Sequence, residues 1–202
     1  MAEQMTEYNL VNGIDVDAME DAVELVRENP PAGQFTFRAR NRWSYGAHCC
    51  TTIQDFTAGG HEDATRPKPF VMEADEPTIL LGEDNAANAT EAVLHALASC
   101  LNASFVYQAA ARGITVEHLE LELEGKLDIR GFLGIDESVR NGYQNVHATF
   151  RVIADASDEQ IRELCEMAQR RSPVFDIVSH GVPVSVGVEV LGHEEGETAT
   201  SM

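Results

Sequence analysis

Three features of the sequence predict an α+β fold. Strand-like and helical stretches follow one another in the order strands, long helix, strands, helix, strand. One helical stretch, residues 88–112, is apolar nearly all round. Two later stretches, residues 115–129 and 144–153, alternate apolar and polar residues with the period of two that a half-buried strand requires.

The elements follow in order. Val16, Met19, Val23 and Val26 recur at helical spacing, and Asn29-Pro30-Pro31-Ala32-Gly33 stops the helix they define. Residues 1–34 are therefore read as a helical appendage, packed on the surface or against a partner chain. From Phe35 the pattern changes to strands: Phe35 to Arg40 alternates, and Cys49 to Phe56 is rich in strand formers, with Ser44-Tyr45-Gly46-Ala47 as a hairpin turn between them. A polar loop over residues 58–68 leads to a third short strand at Phe70 to Ala74. The long apolar helix comes next, capped by Asn88 or Thr90 and closed by Gly113. At about 1.5 Å per residue its 25 residues span roughly 37 Å. Burying that length suggests help from a second subunit. The two alternating strands follow. Ser157 and Gln160 then form the ends of a capping box that opens another helix. Arg171-Ser172-Pro173 interrupts that helix, Val174 to Val178 makes a short helix or turn, and Val182 to Leu191 alternates as a last strand. A domain is thus expected over residues 35–191, followed by a disordered polar tail at 192–202.

The chain has 34 acidic against 14 basic residues, a formal charge of -20, and only Lys68 and Lys126 are lysines. A surface this negative repels nucleic acid and anionic membranes, so neither is an expected partner. No apolar run approaches the roughly 20 residues that span a bilayer. The acidic N-terminus lacks the basic start and apolar centre of a secretory signal, so the cytoplasm is the expected compartment. Cys49, Cys50, Cys100 and Cys165 show neither CxxC nor zinc-ligand spacing. Reduced thiols are expected, with no metal and no cofactor.

Cys100 is the best candidate for chemistry. An ordinary thiol with a pKa near 8.5 is only about 3% ionised at neutral pH, so a reactive one needs a neighbouring cation or helix N-terminus. A thiol in an apolar helix is otherwise inert packing. The surrounding sequence gives a direction. Asn88-Ala-Thr-Glu-Ala-Val-Leu-His-Ala-Leu-Ala-Ser-Cys100, with Arg171-Ser-Pro-Val-Phe downstream and Lys68-Pro-Phe-Val-Met-Glu-Ala-Asp-Glu-Pro and Leu80-Leu-Gly-Glu-Asp upstream, resembles the OsmC/Ohr family over residues 35–191. The resemblance implies antiparallel sheets packed on a long buried central helix, in an intertwined homodimer with sites at its interface. It also implies a thiol peroxidase acting on organic hydroperoxides in oxidative stress defence. In that family the thiolate attacks the peroxide, a second cysteine closes a disulfide, an arginine activates the thiol, and a glutamate holds the arginine. Cys100 matches the attacking cysteine.

Two positions depart from that pattern. The second-cysteine position is Ser172, which cannot form a disulfide, so an external small thiol or dithiol must regenerate Cys100. The glutamate position, ten residues before the cysteine, is Thr90, with Glu91 one step on. On a helix ten residues separate two side chains by about 80° and nine by about 180°. Glu91 is thus a poorly placed substitute. For the arginine, Arg38, Arg40 and Arg42 would share one strand face, with His48 beyond the turn; Arg42 is slightly favoured. Cys49 and Cys50 point to opposite faces of a strand, and Cys165 lies two helical turns before Ser172; all three are read as packing or incidental thiols. His95, four residues after Glu91, is read as structural, since two ligands do not make a metal site.

Two functions follow as expectations. One is a peroxidase acting through Cys100 with an external thiol. The alternative is a non-catalytic protein of the same fold that binds a small apolar ligand at the dimer interface. The charge carries a separate expectation, adaptation to concentrated salt, where the Debye length falls to about 3 Å at 1 M and self-repulsion is screened. The melting temperature is then expected to rise steeply between low and molar salt; an unchanged value in a thermal scan rejects the idea.

Overall fold

The computed structural model describes residues 8–192. A small hairpin, β1 (Leu10–Val11) and β2 (Ile14–Asp15), leads directly into α1 (Val16–Glu28). Asp15 caps α1 by accepting from the Ala18 N–H at 3.1 Å. Asn12 fastens this appendage to the body: its Nδ2 donates to the Ile114 carbonyl at 2.9 Å, and its Oδ1 accepts from the Val116 N–H at 2.8 Å. Six short strands follow: β3 (Phe35–Phe37), β4 (Arg40–Tyr45), β5 (His48–Ile53), β6 (Phe56–Ala58), β7 (His61–Asp63) and β8 (Phe70–Ala74). They form two antiparallel sheets, β3-β6-β7 and β4-β5-β8.

Then come the central helix α2 (Ala89–Ala110), the long strand β9 (Val116–Lys126), a one-turn helix α3 (Ile129–Phe132) and strand β10 (Asn145–Ala154). Two helices, α4 (Asp158–Arg171) and α5 (Pro173–His180), complete the order. β9 and β10 pair antiparallel along nearly their whole length. Val116, Leu119, Leu121 and Leu123 face inward, while Glu120, Glu122 and Glu124 face out. Arg151 on β10 pairs with both Glu120 and Glu122.

α2 is the axis of the body. Leu97, Leu101, Phe105 and Ala109, each four residues apart, form one buried flank. α4, β9 and α5 pack around it. Phe105, Ala109, Ile114, Leu164 and Ala168 make the core, and the Phe105 ring lies 5.8 Å from that of Phe150. The other flank, with Ala96, Ser99, Ala103 and Tyr107, is exposed. So are large side chains of the N-terminal sheets, among them Phe37, Trp43, Phe70 and Val71.

Several expectations need correction. The first predicted strand is broken at Arg38 and Ala39, so β3 and β4 belong to different sheets. Part of the polar loop at 58–68 forms β7. Residues 182–191 form no strand: Val184, Val186, Val188 and Val190 are 81–89% exposed along an unpaired segment. The valine alternation is there, but no strand among the described residues pairs with it. Among the described residues, α2 is the one helix long and apolar enough to cross a membrane. No apolar run of roughly 20 residues is expected from the sequence; in the structure α2 is the central helix of the domain, with Leu97, Leu101, Phe105 and Ala109 buried. The expected disordered tail falls, apart from Gly192, outside the described residues.

Phe105 is fully buried at the centre of this packing. Truncation to Ala is expected to cost about 3–5 kcal/mol of unfolding free energy, read from urea denaturation.

Candidate active site

Cys100 lies on α2 three residues after Leu97, which places it about 60° around the helix from the buried flank. Its side chain is partly exposed, at the border between the packed and the bare side. All four cysteines are free thiols. Cys49 and Cys50 sit on β5, where Cys49 Sγ accepts from Asn41 Nδ2 at 3.2 Å. Cys165 packs on the core, and desolvation raises its pKa.

The start of α2 shows why Thr90 and Glu91 are where they are. Asn88 Oδ1 accepts from the Glu91 N–H at 2.9 Å, and Glu91 Oε2 accepts from the Asn88 N–H at 2.9 Å, a reciprocal capping box. Thr90 Oγ1 donates to the same Asn88 Oδ1 at 2.8 Å. Both residues are thus engaged in capping. Tyr143 adds a tie from the β9–β10 connection by donating to the Thr90 carbonyl at 2.8 Å.

Ser172 is 2% exposed, at the junction of α4 and α5. Its Oγ accepts from the Phe175 N–H at 3.1 Å, and Pro173 fills the first helical position. The hydroxyl at the second-cysteine position is therefore a helix cap. Ser-Pro at a helix start is a signal already present in the sequence.

The arginines divide. Arg38, outside β4, donates to Glu62 and to Thr57 Oγ1, both at 2.7 Å, and belongs to the β3-β6-β7 sheet. The expected shared face of three arginines is therefore lost. Arg40 and Arg42 remain on β4, exposed, with Arg42 opposite Cys50. Within one chain the elements packed most closely on α2 are α4, β9 and α5, so β4 does not deliver either arginine to Cys100 by its own packing. His95 is exposed on α2. No group of three or more His, Cys, Asp or Glu side chains that could hold a metal ion occurs among the described residues.

A feature the sequence reading missed lies just before α2. Asp75, 3% exposed, accepts from the Glu76, Glu83 and Asn85 N–H groups at 2.8, 3.2 and 3.2 Å. The loop it holds is tight: a Cβ on Gly82 would lie 1.8 Å from the Glu76 carbonyl oxygen. Burial alone would raise the Asp75 pKa, but the three backbone donors, with the field of His48, hold it below the ordinary aspartate value. His48 Nδ1 is buried without a hydrogen-bond partner, and its ring stacks on Tyr45. Tyr45 donates to Glu83 Oε2 at 2.6 Å, which raises the phenol pKa and ties the β4–β5 turn to this loop.

The sequence model of the OsmC-like protein family matches residues 82–187, from the loop before α2 to past α5. The chain belongs to the OsmC-like family. Solved structures agree on the fold of this OsmC-like protein. The OsmC-like protein from Mycoplasma pneumoniae superposes with a TM-score of 0.54 at 14% identity, over 72% of this chain and 88% of that one. An organic hydroperoxide resistance protein OsmC from Legionella pneumophila gives 0.50 at 14% identity, over 72% and 90%. No curated relative matches the chain at the level of sequence.

Asp75 carries a pH dependence. A carboxyl whose folded pKa is depressed stabilises the fold above its unfolded value of about 3.9 and loses that contribution as pH falls through the folded value. Asp75→Asn is expected to be less stable than wild type at pH 7. The gap should narrow below about pH 4, as read from urea midpoints across that range.

Proposed function

We propose that this OsmC-like protein is a cytoplasmic thiol peroxidase that reduces organic hydroperoxides through Cys100 as a homodimer. The observation that carries the reading is the position of Cys100, partly exposed where the packed flank of α2 meets its bare one. A second copy is the partner that suits that flank. The surfaces left open are complementary in kind: small residues Ala96, Ser99 and Ala103 on α2, and aromatic and aliphatic side chains on the N-terminal sheets. Residues 182–190 add an unpaired, valine-alternating segment suited to pairing with a sheet edge.

In such a dimer Arg42 of the partner subunit is the favoured cation beside Cys100, since its own chain leaves it exposed on β4. Glu91 is held in the capping box on the opposite side of α2 from Cys100, and on this reading it takes no part in steadying the guanidinium. The Cys100 thiolate attacks the terminal oxygen of the hydroperoxide. The O–O bond breaks, sulfur is oxidised to the sulfenic acid, and the alkoxide leaves to take a proton as the alcohol. A first external thiol displaces water from the sulfenic acid to give a mixed disulfide. A second thiol releases Cys100 and departs as the external disulfide.

The second reading, a non-catalytic protein that binds an apolar ligand at the interface, is favoured by one observation. The second-cysteine position is a buried structural cap.

Cumene hydroperoxide consumption with dithiothreitol as reductant separates the two. Cys100→Ser is expected to lose about 100-fold or more of the wild-type rate. Equal rates in wild type and variant would leave only the binding reading.

A further inference from the structure

Ser172 is the enclosed cap of α5, so a second thiol for Cys100 has to come from another part of the dimer or from solution. The structure separates the three remaining cysteines. Cys165 packs on the core, where desolvation raises its pKa and disfavours the attacking thiolate. Cys49 and Cys50 are neighbours on β5 and point to opposite faces of the β4-β5-β8 sheet. Cys49 shares its face with Asn41 and Thr51: Asn41 Nδ2 donates to Cys49 Sγ at 3.2 Å and to Thr51 Oγ1 at 2.8 Å. Cys50 occupies the other face.

That face also carries Arg42. Arg42 of β4 and Cys50 of β5 are directly opposed in the antiparallel register, and Arg40 and Thr52 form the next pair on the same side. Directly opposed side chains lie about 4.5–5.5 Å apart at Cβ. The register shift in this hairpin falls between Trp43 and Tyr45, beyond the pair, so the alternation that sets the face is intact at Arg42. β5 is the middle strand, and Cys50 therefore projects from the centre of the sheet face. It is half-buried, while β4 beside it is exposed along its length.

The surface around Cys100 suits a sheet laid face-on. Ala96, Ser99 and Ala103, on the bare flank of α2, are all small. A disulfide needs Cα atoms within about 7 Å, a closeness that small side chains permit and a bulky flank would not. In the proposed dimer the guanidinium beside Cys100 belongs to Arg42 of the partner subunit. Whatever brings that residue to the sulfur also brings Cys50, one strand spacing of about 4.8 Å away.

We infer that Cys50 of the partner subunit is the resolving cysteine, which condenses with the Cys100 sulfenic acid to an intersubunit disulfide. The inference rests on the peroxidase reading and deepens it, since Cys50 takes the place of the first external thiol. The Cys50 sulfur attacks the Cys100 sulfur, the S–OH bond breaks, and the hydroxide leaves as water with the thiol proton. Two external thiols then reduce the disulfide in turn and depart as their own disulfide.

Reduced full-length protein treated with equimolar cumene hydroperoxide, with no other thiol present, tests it. A denaturing gel without reductant is expected to show a covalent dimer, and peptide mass mapping to link Cys50 to Cys100. Cys49→Ser and Cys165→Ser should keep that band. Cys50→Ser should lose it and leave a Cys100 sulfenic acid that dimedone traps. A wild type that stays monomeric on the gel while dimedone labels Cys100 overturns the inference and leaves the peroxidase reading standing. So does a dimer linked through any other pair, or a Cys50–Cys100 bond within one chain. Absence of both peroxide consumption and dimedone labelling removes the peroxidase reading, and the inference with it. The wild-type arm reads the link directly and does not depend on how the variants fold.

Discussion

Helix α2 is apolar around most of its circumference, yet its own chain covers only one flank. Leu97, Leu101, Phe105 and Ala109 are enclosed by α4, α5 and β9, while Ala96, Ser99 and Ala103 meet solvent. Leaving such a surface wet forgoes roughly 25 cal/mol for every Å² that could be buried. The same imbalance runs through the N-terminal sheets, where β4 is exposed along its whole length, and through the valines after α5. Large apolar side chains on these surfaces stand open to solvent. Cys100 lies at the edge of the uncovered side, so the proposed chemistry and the proposed pairing of two copies concern one surface.

The polar devices of the chain act mainly on backbone geometry. Asn88, Thr90 and Glu91 form a single cap, Asp75 gathers three N–H groups into the preceding loop, and Ser172 starts α5. Each satisfies donors that would otherwise be orphaned at a helix end or in a tight loop. The approach to α2 is therefore rigid at both of its hinges, the Asp75 loop and the Asn88 cap. Tyr45 and Tyr143 fasten it further, to the β4–β5 turn and to the β9–β10 connection. A sulfur carried on such a helix has little freedom to search for a partner, which places the burden of geometry on whatever comes to meet it.

Much of this was legible because it is local. The Asn88 and Ser157 caps, the period-two alternation of β9 and β10 and the turn at Gly46 are each written in a few adjacent residues, and they sit where expected within three residues. What failed was non-local. Nothing near Arg38 announces that it pairs with Glu62, 24 residues on, and so leaves the face of Arg40 and Arg42. The valines of residues 182–190 carry a strand's alternation, but a strand exists only where another strand lends its hydrogen bonds. Asp75 was invisible for a similar reason: its role depends on a loop folding back ten residues to meet it. Glu91 was weighed as a partner for an arginine, although its spacing from Asn88 is that of a capping box.

Ser172 and a cysteine in the same place differ by one heavy atom, oxygen against sulfur. In this molecule the oxygen is enclosed and holds the first turn of α5 through the Phe175 amide. Sulfur is larger and a weaker acceptor. A cysteine placed there would exchange a secure helical corner for a redox-active one. On the proposed peroxidase reading, reliance on external thiols is thus tied to the architecture of a bend.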